Sequence, residues 1–95
     1  MKVVWTARAR LDLRNLVAYI AEDSVQAAEL VADRILGTAK HLAMMPGSGR
    51  PGRAQETREL VVHKTPYILV YRIVSGQVRL LRVFHGARRW PSRFD

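Results

Sequence analysis

The segment 46–53 divides this chain into two halves that follow different hydrophobic repeats. It holds three glycines and two prolines in eight residues, a composition that cannot continue a helix. Apolar residues before it recur at helical spacing, and those after residue 58 follow the two-residue repeat of strands. Helices grouped before strands predict an α+β fold, and 95 residues suffice for a single domain over 1–95.

Two helices are predicted in the first half of the chain. Thr6 is a suitable N-cap for a helix that ends near residue 22. Asp23 and Ser24 interrupt it and cap a second helix that ends near residue 43, with Gln26 placed for a capping box with Asp23. Each helix carries one apolar stripe, consisting of Leu13, Leu16, Val17 and Ile20 in the first and of Ala28, Val31, Ile35, Ala39 and Leu42 in the second. Because the connection is so short, the two helices are expected to pack as a hairpin.

Four strands are predicted around these helices. They span residues 2–5, 58–64, 67–74 and 77–84. Ser75 and Gly76 form a two-residue connection that is typical of a β-hairpin. The predicted order is therefore β-α-α-β-β-β, an antiparallel sheet packed against a helical hairpin, followed by a basic C-terminal tail over 85–95.

The two longest predicted strands are mostly apolar on both faces. Residues expected to share a face are Tyr67, Leu69, Tyr71 and Ile73 in the first strand, and Val78, Leu80, Arg82 and Phe84 in the second. One face is expected to cover the helices, and the chain has few residues left to cover the other. An exposed apolar face that carries Arg72 and Arg82 predicts a docking surface for another protein. A dimer interface and coverage by the tail are the alternatives.

Positive charge is concentrated in the second half of the chain. The formal net charge is +8, of which residues 1–49 hold +1 and residues 50–95 hold +7. Most of the excess is arginine, whose planar guanidinium binds carboxylates and phosphates through two contacts. Such a field attracts nucleic acid or an acidic protein. Arg72 and Arg82, on neighbouring strands, are expected to need an anion, with Glu56 and Glu59 as the intramolecular alternative.

Several classes of protein are disfavoured by composition. The absence of cysteine removes disulfides and thiolate metal sites. His41, His63 and His85 are too widely spaced along the chain for a compact ligand set, so no metal or cofactor is predicted. No apolar run reaches the roughly 18 residues of a membrane span, and the N-terminus lacks the apolar core of a signal peptide. We therefore expect a cytoplasmic protein that does not bind membranes.

Six short segments resemble those of one protein family, in order and over nearly the whole chain. They are residues 9–13 and 19–21 in the first helix, then 46–50, 58–62, 66–72 and 81–90. With the basic charge and the chain length, they resemble the RelE/ParE superfamily of bacterial type II toxins. The family fold is also β-α-α-β-β-β, in agreement with the order read from the residues.

The resemblance implies a partner. Such toxins form hetero-oligomers with a cognate antitoxin, whose flexible acidic or amphipathic segment wraps the toxin and relieves growth inhibition. A segment that folds on binding can cover a large surface in this way. We expect it to contact Tyr71, Arg72 and Arg82.

The resemblance leaves two targets open, DNA gyrase and the ribosome with its messenger RNA. Ribonucleases of the superfamily carry arginine at the position of Ile68 and a catalytic tyrosine after the last strand, where this chain has Arg88, Arg89 and Trp90. These departures favour a ParE-like gyrase inhibitor without enzymatic activity over a ribosome-dependent endoribonuclease of the RelE type. A basic nucleic-acid-binding module without toxicity is the third alternative.

The residues after the last strand are the predicted target-binding site. His85, Arg88, Arg89 and Trp90 combine a titratable group, cations and an aromatic ring, as binding anchors do. His85 is also the candidate general acid or base if the chain cleaves RNA, although a structural hydrogen bond is the alternative role. His41 and His63 are weaker candidates, and Trp90 could instead cap the core.

Overall fold

The fold is known from a computed structural model, which describes residues 1–88 and 90. Its elements are β1 (Lys2–Trp5), α1 (Ala7–Ala21), α2 (Val25–Met44), β2 (Arg50–Pro51), β3 (Arg58–Val61), β4 (Tyr67–Val74) and β5 (Gln77–His85). The sheet order is β1-β5-β4-β3-β2. The predicted α+β class and element order are confirmed, with β2 as an additional short strand within the Gly/Pro segment. The sheet is mixed and not wholly antiparallel as predicted, because β1 pairs with β5 in parallel, while its other pairs are antiparallel.

Both helices begin at a capping side chain. Thr6 Oγ1 accepts a hydrogen bond of 3.2 Å from the Ala9 amide, as predicted. Ser24, and not Asp23, caps α2 and accepts from the Ala27 amide at 3.0 Å. The predicted capping box of Asp23 with Gln26 is wrong, because Ser24 is the N-cap and the third residue after it is Ala27. The Asp23 amide bonds to the Ile20 carbonyl in the turn that follows α1.

The strand β3 is shorter than predicted, ending at Val61 instead of residue 64. Thr65 Oγ1 donates to the Val62 carbonyl at 2.9 Å, and Lys64 adopts a left-handed conformation with φ of 60°. These features turn the chain toward β4, so residues 63–65 form the turn.

A β-bulge in β5 reverses the faces of its second half. Val70 lies opposite Arg82 and Tyr71 lies opposite Leu80, which leaves Leu81 as the extra residue. Val83 therefore joins Val78 and Leu80 in the core, while Arg82 and Phe84 belong to the opposite face. The predicted face of Val78, Leu80, Arg82 and Phe84 is wrong, since strict alternation does not anticipate a bulge.

The core lies between the helical hairpin and one face of the sheet. Its fully buried side chains include Ile35, Leu42, Leu69, Tyr71, Val78 and Leu80. On the opposite face, Ile68 and Val70 are only 6% and 0% exposed. The prediction of an exposed apolar face is therefore wrong for these two residues. Gly86 packs against Ile68, and Trp90 lies on Phe84, so two described residues of the tail cover part of this face. Most of the predicted basic tail, residues 89 and 91–95, lies outside the described residues.

Neither α1 nor α2 is long and apolar enough to cross a membrane, and no other helix occurs in the described part of the chain.

Candidate functional site

Arg82 is held at the edge of the sheet by a carboxylate from α1. Asp12 Oδ2 and Oδ1 accept from Nε and Nη2 of Arg82 at 2.7 and 3.0 Å. Asp12 Oδ2 also accepts from the Val83 amide at 2.9 Å, at the part of β5 that lies beyond its pairing with β1. Both side chains are mostly buried, with 19% exposure for Arg82 and 14% for Asp12. The intramolecular partner of Arg82 is therefore Asp12, and not Glu56 or Glu59, which were the intramolecular alternative.

Arg72 has no carboxylate partner among residues 1–88 and 90. Its Nε and Nη2 donate to the backbone carbonyls of Glu56 and Gln55 at 3.3 and 3.5 Å. It lies directly opposite Arg79 in the pairing of β4 with β5. Arg72 and Arg82 do share a face, as predicted, but are offset along it because Arg82 lies opposite Val70.

Glu59 is a buried carboxylate with two arginine partners. Its side chain is 2% exposed, and its Oε1 accepts from Arg50 at 3.1 Å. Its Oε2 accepts from the Arg53 amide at 2.8 Å and lies 3.6 Å from Arg53 Nε. Since a buried charge is costly without partners, these contacts fix the 50–53 segment against β3.

Two aromatic rings and two arginines stack across the opposite face of the sheet. The Arg82 guanidinium carbon lies 4.4 Å from the centre of the Phe84 ring, and the Phe84 and Trp90 rings are 4.8 Å apart. The Arg53 guanidinium carbon lies over the Trp90 ring, 3.5 Å from its centre. The Trp90 indole also donates to the His85 carbonyl at 3.2 Å. This stack joins Trp90 to the sheet, so Trp90 has a packing role.

His85 lies at the mouth of a recess of about 420 Å³ between α1 and β5, close to Arg82 and Arg88. Its Nδ1 accepts from the Ala87 amide at 3.1 Å, and its ring makes an edge contact with Tyr67 at 5.5 Å. These contacts fit the structural alternative for His85, because they fix the ring without directing both nitrogens into the recess.

The other predicted target-binding residues fall into two groups. Arg88 is exposed on the rim of the same recess, with its guanidinium 5.8 Å from the Tyr19 ring. Arg89 lies outside the described residues. The structure therefore brings His85, Arg88 and Trp90 to the same end of β5.

Tyr71, a predicted antitoxin contact, has no exposed surface. Its hydroxyl donates to the Pro46 carbonyl at 2.7 Å and accepts from the Gly49 amide at 2.9 Å. These bonds fasten the Gly/Pro segment to the sheet. Tyr71 acts here as part of the core, and direct contact with a partner would require it to leave that position.

Two histidines line a separate apolar recess. This recess has a volume of about 350 Å³, and its lining includes His41 on α2, His63 beyond β3, Leu60 and Val61. Within the described ranges no group of three potential metal ligands is found. This recess is distinct from the one that His85 lines.

Sequence reasoning missed Asp12, Arg53 and Arg79 as parts of this surface. Asp12 contacts a residue 70 positions away, which no local pattern reveals. Arg79 could have been found, because the two-residue Ser75 and Gly76 connection fixes the hairpin register that sets it opposite Arg72.

Comparisons with known proteins give a family, similar relatives and a solved structure of the same fold. Residues 3–90 match the family model described as ParE toxin of type II toxin-antitoxin system, parDE. The chain is 46% identical over 91 residues to the protein Y4kP of Sinorhizobium fredii, covering 96% of this chain and 94% of the relative. It is 41% identical over 87 residues to Toxin RelE2 of Caulobacter vibrioides, covering 92% and 97%. A solved chain from the chromosomal ParDE TA system of P. aeruginosa has the same fold, with a TM-score of 0.79 at 24% identity over 90% of this chain and 95% of that one.

Proposed function

The chain belongs to the ParE toxin family of type II toxin–antitoxin systems, and we propose that it inhibits DNA gyrase when it is free of its antitoxin. It is the toxin component of such a pair. The inhibition is proposed to rest on binding, without cleavage of nucleic acid by the toxin itself.

The choice of gyrase over the ribosome rests on the residue at position 68, which is isoleucine in this chain. Ribonucleases that this chain resembles place an arginine there, to stabilise the charge that develops on the phosphate. Ile68 can neither donate a hydrogen bond nor hold charge, and it is buried against Gly86 with 6% exposure. With His85 bonded to the Ala87 amide, the site offers a weak set of groups for cleaving RNA.

A supercoiling assay tests the target. We expect the purified toxin to stop gyrase from supercoiling relaxed plasmid at near-stoichiometric ratios, and the neighbouring gene product to restore the activity. A primer-extension assay on translating ribosomes is the parallel measurement, in which no codon-positioned cleavage is expected. Cleavage that disappears in His85→Ala would instead identify a ribosome-dependent endoribonuclease.

The antitoxin is proposed to place an acidic segment on the sheet near Arg72. Arg72 bonds only to backbone carbonyls, so a carboxylate would give it a charged partner. Arg82 keeps both Nη1 hydrogens and one Nη2 hydrogen for a partner, since Asp12 accepts from Nε and from one hydrogen of Nη2. Tyr71, the residue before Arg72 on β4, is fully buried on the core side of the sheet and is proposed to hold the strand in place.

The target is proposed to bind the end of β5, where Arg88 is exposed. We expect Arg88→Ala to weaken gyrase inhibition about fivefold or more, as loss of a central arginine does at other interfaces. The melting temperature should change by less than a few degrees, because Arg88 makes no ion pair with any described residue.

Arg14→Ala is the matched control, since Arg14 is exposed on α1. If both variants inhibit gyrase as the unchanged protein does, the end of β5 does not bind the target. If Arg88→Ala melts much earlier instead, Arg88 has a structural role.

A further inference from the structure

The net charge of this toxin lies entirely outside its helical layer. Residues 6–45, which comprise both helices with their caps, contain five basic and five acidic residues. The full excess of +8 therefore belongs to the sheet, its loops and the tail. Among the described residues, five arginines of this excess lie on the face of the sheet that the helices do not cover.

Five arginines form what we call the arginine face, on the side of the sheet away from the helices. They are Arg50, Arg53, Arg72, Arg79 and Arg82. Three of them have carboxylate partners, because Glu59 binds Arg50 and Arg53, and Asp12 binds Arg82. The remaining two, Arg72 and Arg79, make no ion pair within residues 1–88 and 90.

The positions of Arg72 and Arg79 are unfavourable for the isolated protein. They lie directly opposite each other on β4 and β5, where side chains of neighbouring strands are about 5 Å apart at their β-carbons. Like charges in such a pair destabilise a sheet. An anion that both guanidinium groups can reach would remove this repulsion.

We propose that the arginine face binds the phosphate backbone of duplex DNA, with Arg72 and Arg79 as its main contacts. Phosphate suits a pair of guanidinium groups because each can donate two hydrogen bonds to its oxygens. A duplex carries about one negative charge per 1.7 Å of its axis, so several arginines across a rigid sheet can each meet a phosphate. The choice of duplex DNA rests on the proposed function, since DNA is the substrate on which gyrase acts.

This assignment gives the antitoxin a second effect. An acidic segment on Arg72 would occupy the same face as the DNA backbone. The toxin would then bind either the antitoxin or DNA at this surface, and neutralisation would include displacement from DNA.

Fluorescence anisotropy with a labelled 20-base-pair duplex tests the inference, using the full chain without gyrase at 50 to 200 mM salt. Arg79→Ala should weaken binding roughly fivefold and lower the slope of log K against log salt by about 0.9, the value for one phosphate contact. Its melting temperature should stay equal or rise, because the repulsion with Arg72 is removed. Arg14→Ala on α1 is the control for net charge and should keep the salt slope of the unchanged protein.

The outcomes separate this inference from the proposed function. Equal losses in Arg79→Ala and Arg14→Ala would show diffuse attraction and would overturn it, as would an absence of binding at 50 mM salt. Tighter binding of single-stranded RNA of equal length would also overturn the choice of DNA. If the protein does not inhibit gyrase but still binds DNA through Arg79, the proposed target is refuted and the DNA-binding surface remains.

Discussion

Asp12→Ala should lower the free energy of unfolding by about 3 kcal/mol, because it leaves the largely buried Arg82 guanidinium without its anion. The same change removes the acceptor of the Val83 amide, which lies on a part of β5 that β1 does not pair. For a domain of this size, such a loss corresponds to a fall in melting temperature of roughly 12–24 °C. Thermal and urea unfolding of the purified variant would measure it.

Asp33→Ala is the matched control, since Asp33 is an exposed carboxylate on α2. It should change stability by no more than about 0.5 kcal/mol. A double-mutant cycle with Arg82→Ala should give a coupling energy of about 1–3 kcal/mol between the two side chains. If Asp12→Ala unfolds at the same urea concentration as Asp33→Ala, the contact with Arg82 contributes nothing to stability.

The second large effect is expected at Gly49. A β-carbon there would lie 2.6 Å from the Tyr71 hydroxyl and 2.9 Å from the Glu59 carbonyl, and both neighbours are fixed within the sheet. Relieving the clash would break the bonds from Tyr71 to Pro46 and Gly49, so Gly49→Ala should cost about 3 kcal/mol. Urea unfolding followed by far-UV circular dichroism would measure the loss.

Gly47 offers a matched comparison two residues earlier. A β-carbon at Gly47 meets nothing within 4 Å, so Gly47→Ala should leave stability within about 0.5 kcal/mol of the unchanged protein. Similar losses in the two variants would mean that flexibility of the Gly/Pro segment matters, and not the close approach of Gly49 to Tyr71.

The elements of the fold could be predicted because they depend on nearby residues. The helical stripes, the Thr6 cap and the Ser75 and Gly76 hairpin each follow from patterns within a few positions. The bulge at Leu81 could not be predicted, since it depends on how β5 pairs with β4 along its full length. Its consequence was an error in the predicted faces, which placed Arg82 and Phe84 with Val78 and Leu80.

The candidate site was less predictable than the fold. Its residue types followed from composition and from the family resemblance, but their partners did not. Asp12 reaches Arg82 across the sheet edge, and Arg53 stacks on Trp90 from a distant loop. Such pairs depend on the packing of layers that are far apart in sequence, so the anion predicted for Arg82 proved to belong to the chain itself.

The contact of Asp12 with Val83 also bears on how toxin molecules behave toward each other. The second half of β5 extends past β1 and would otherwise present free backbone groups along an open edge. Such an edge is a template on which a strand of another molecule can add, and it promotes aggregation. Thr6 Oγ1 donates to the Leu81 carbonyl and Asp12 accepts from the Val83 amide, so two of these groups are already occupied. The carboxylate that fixes Arg82 therefore also leaves fewer free backbone groups on which a strand of another toxin molecule could add.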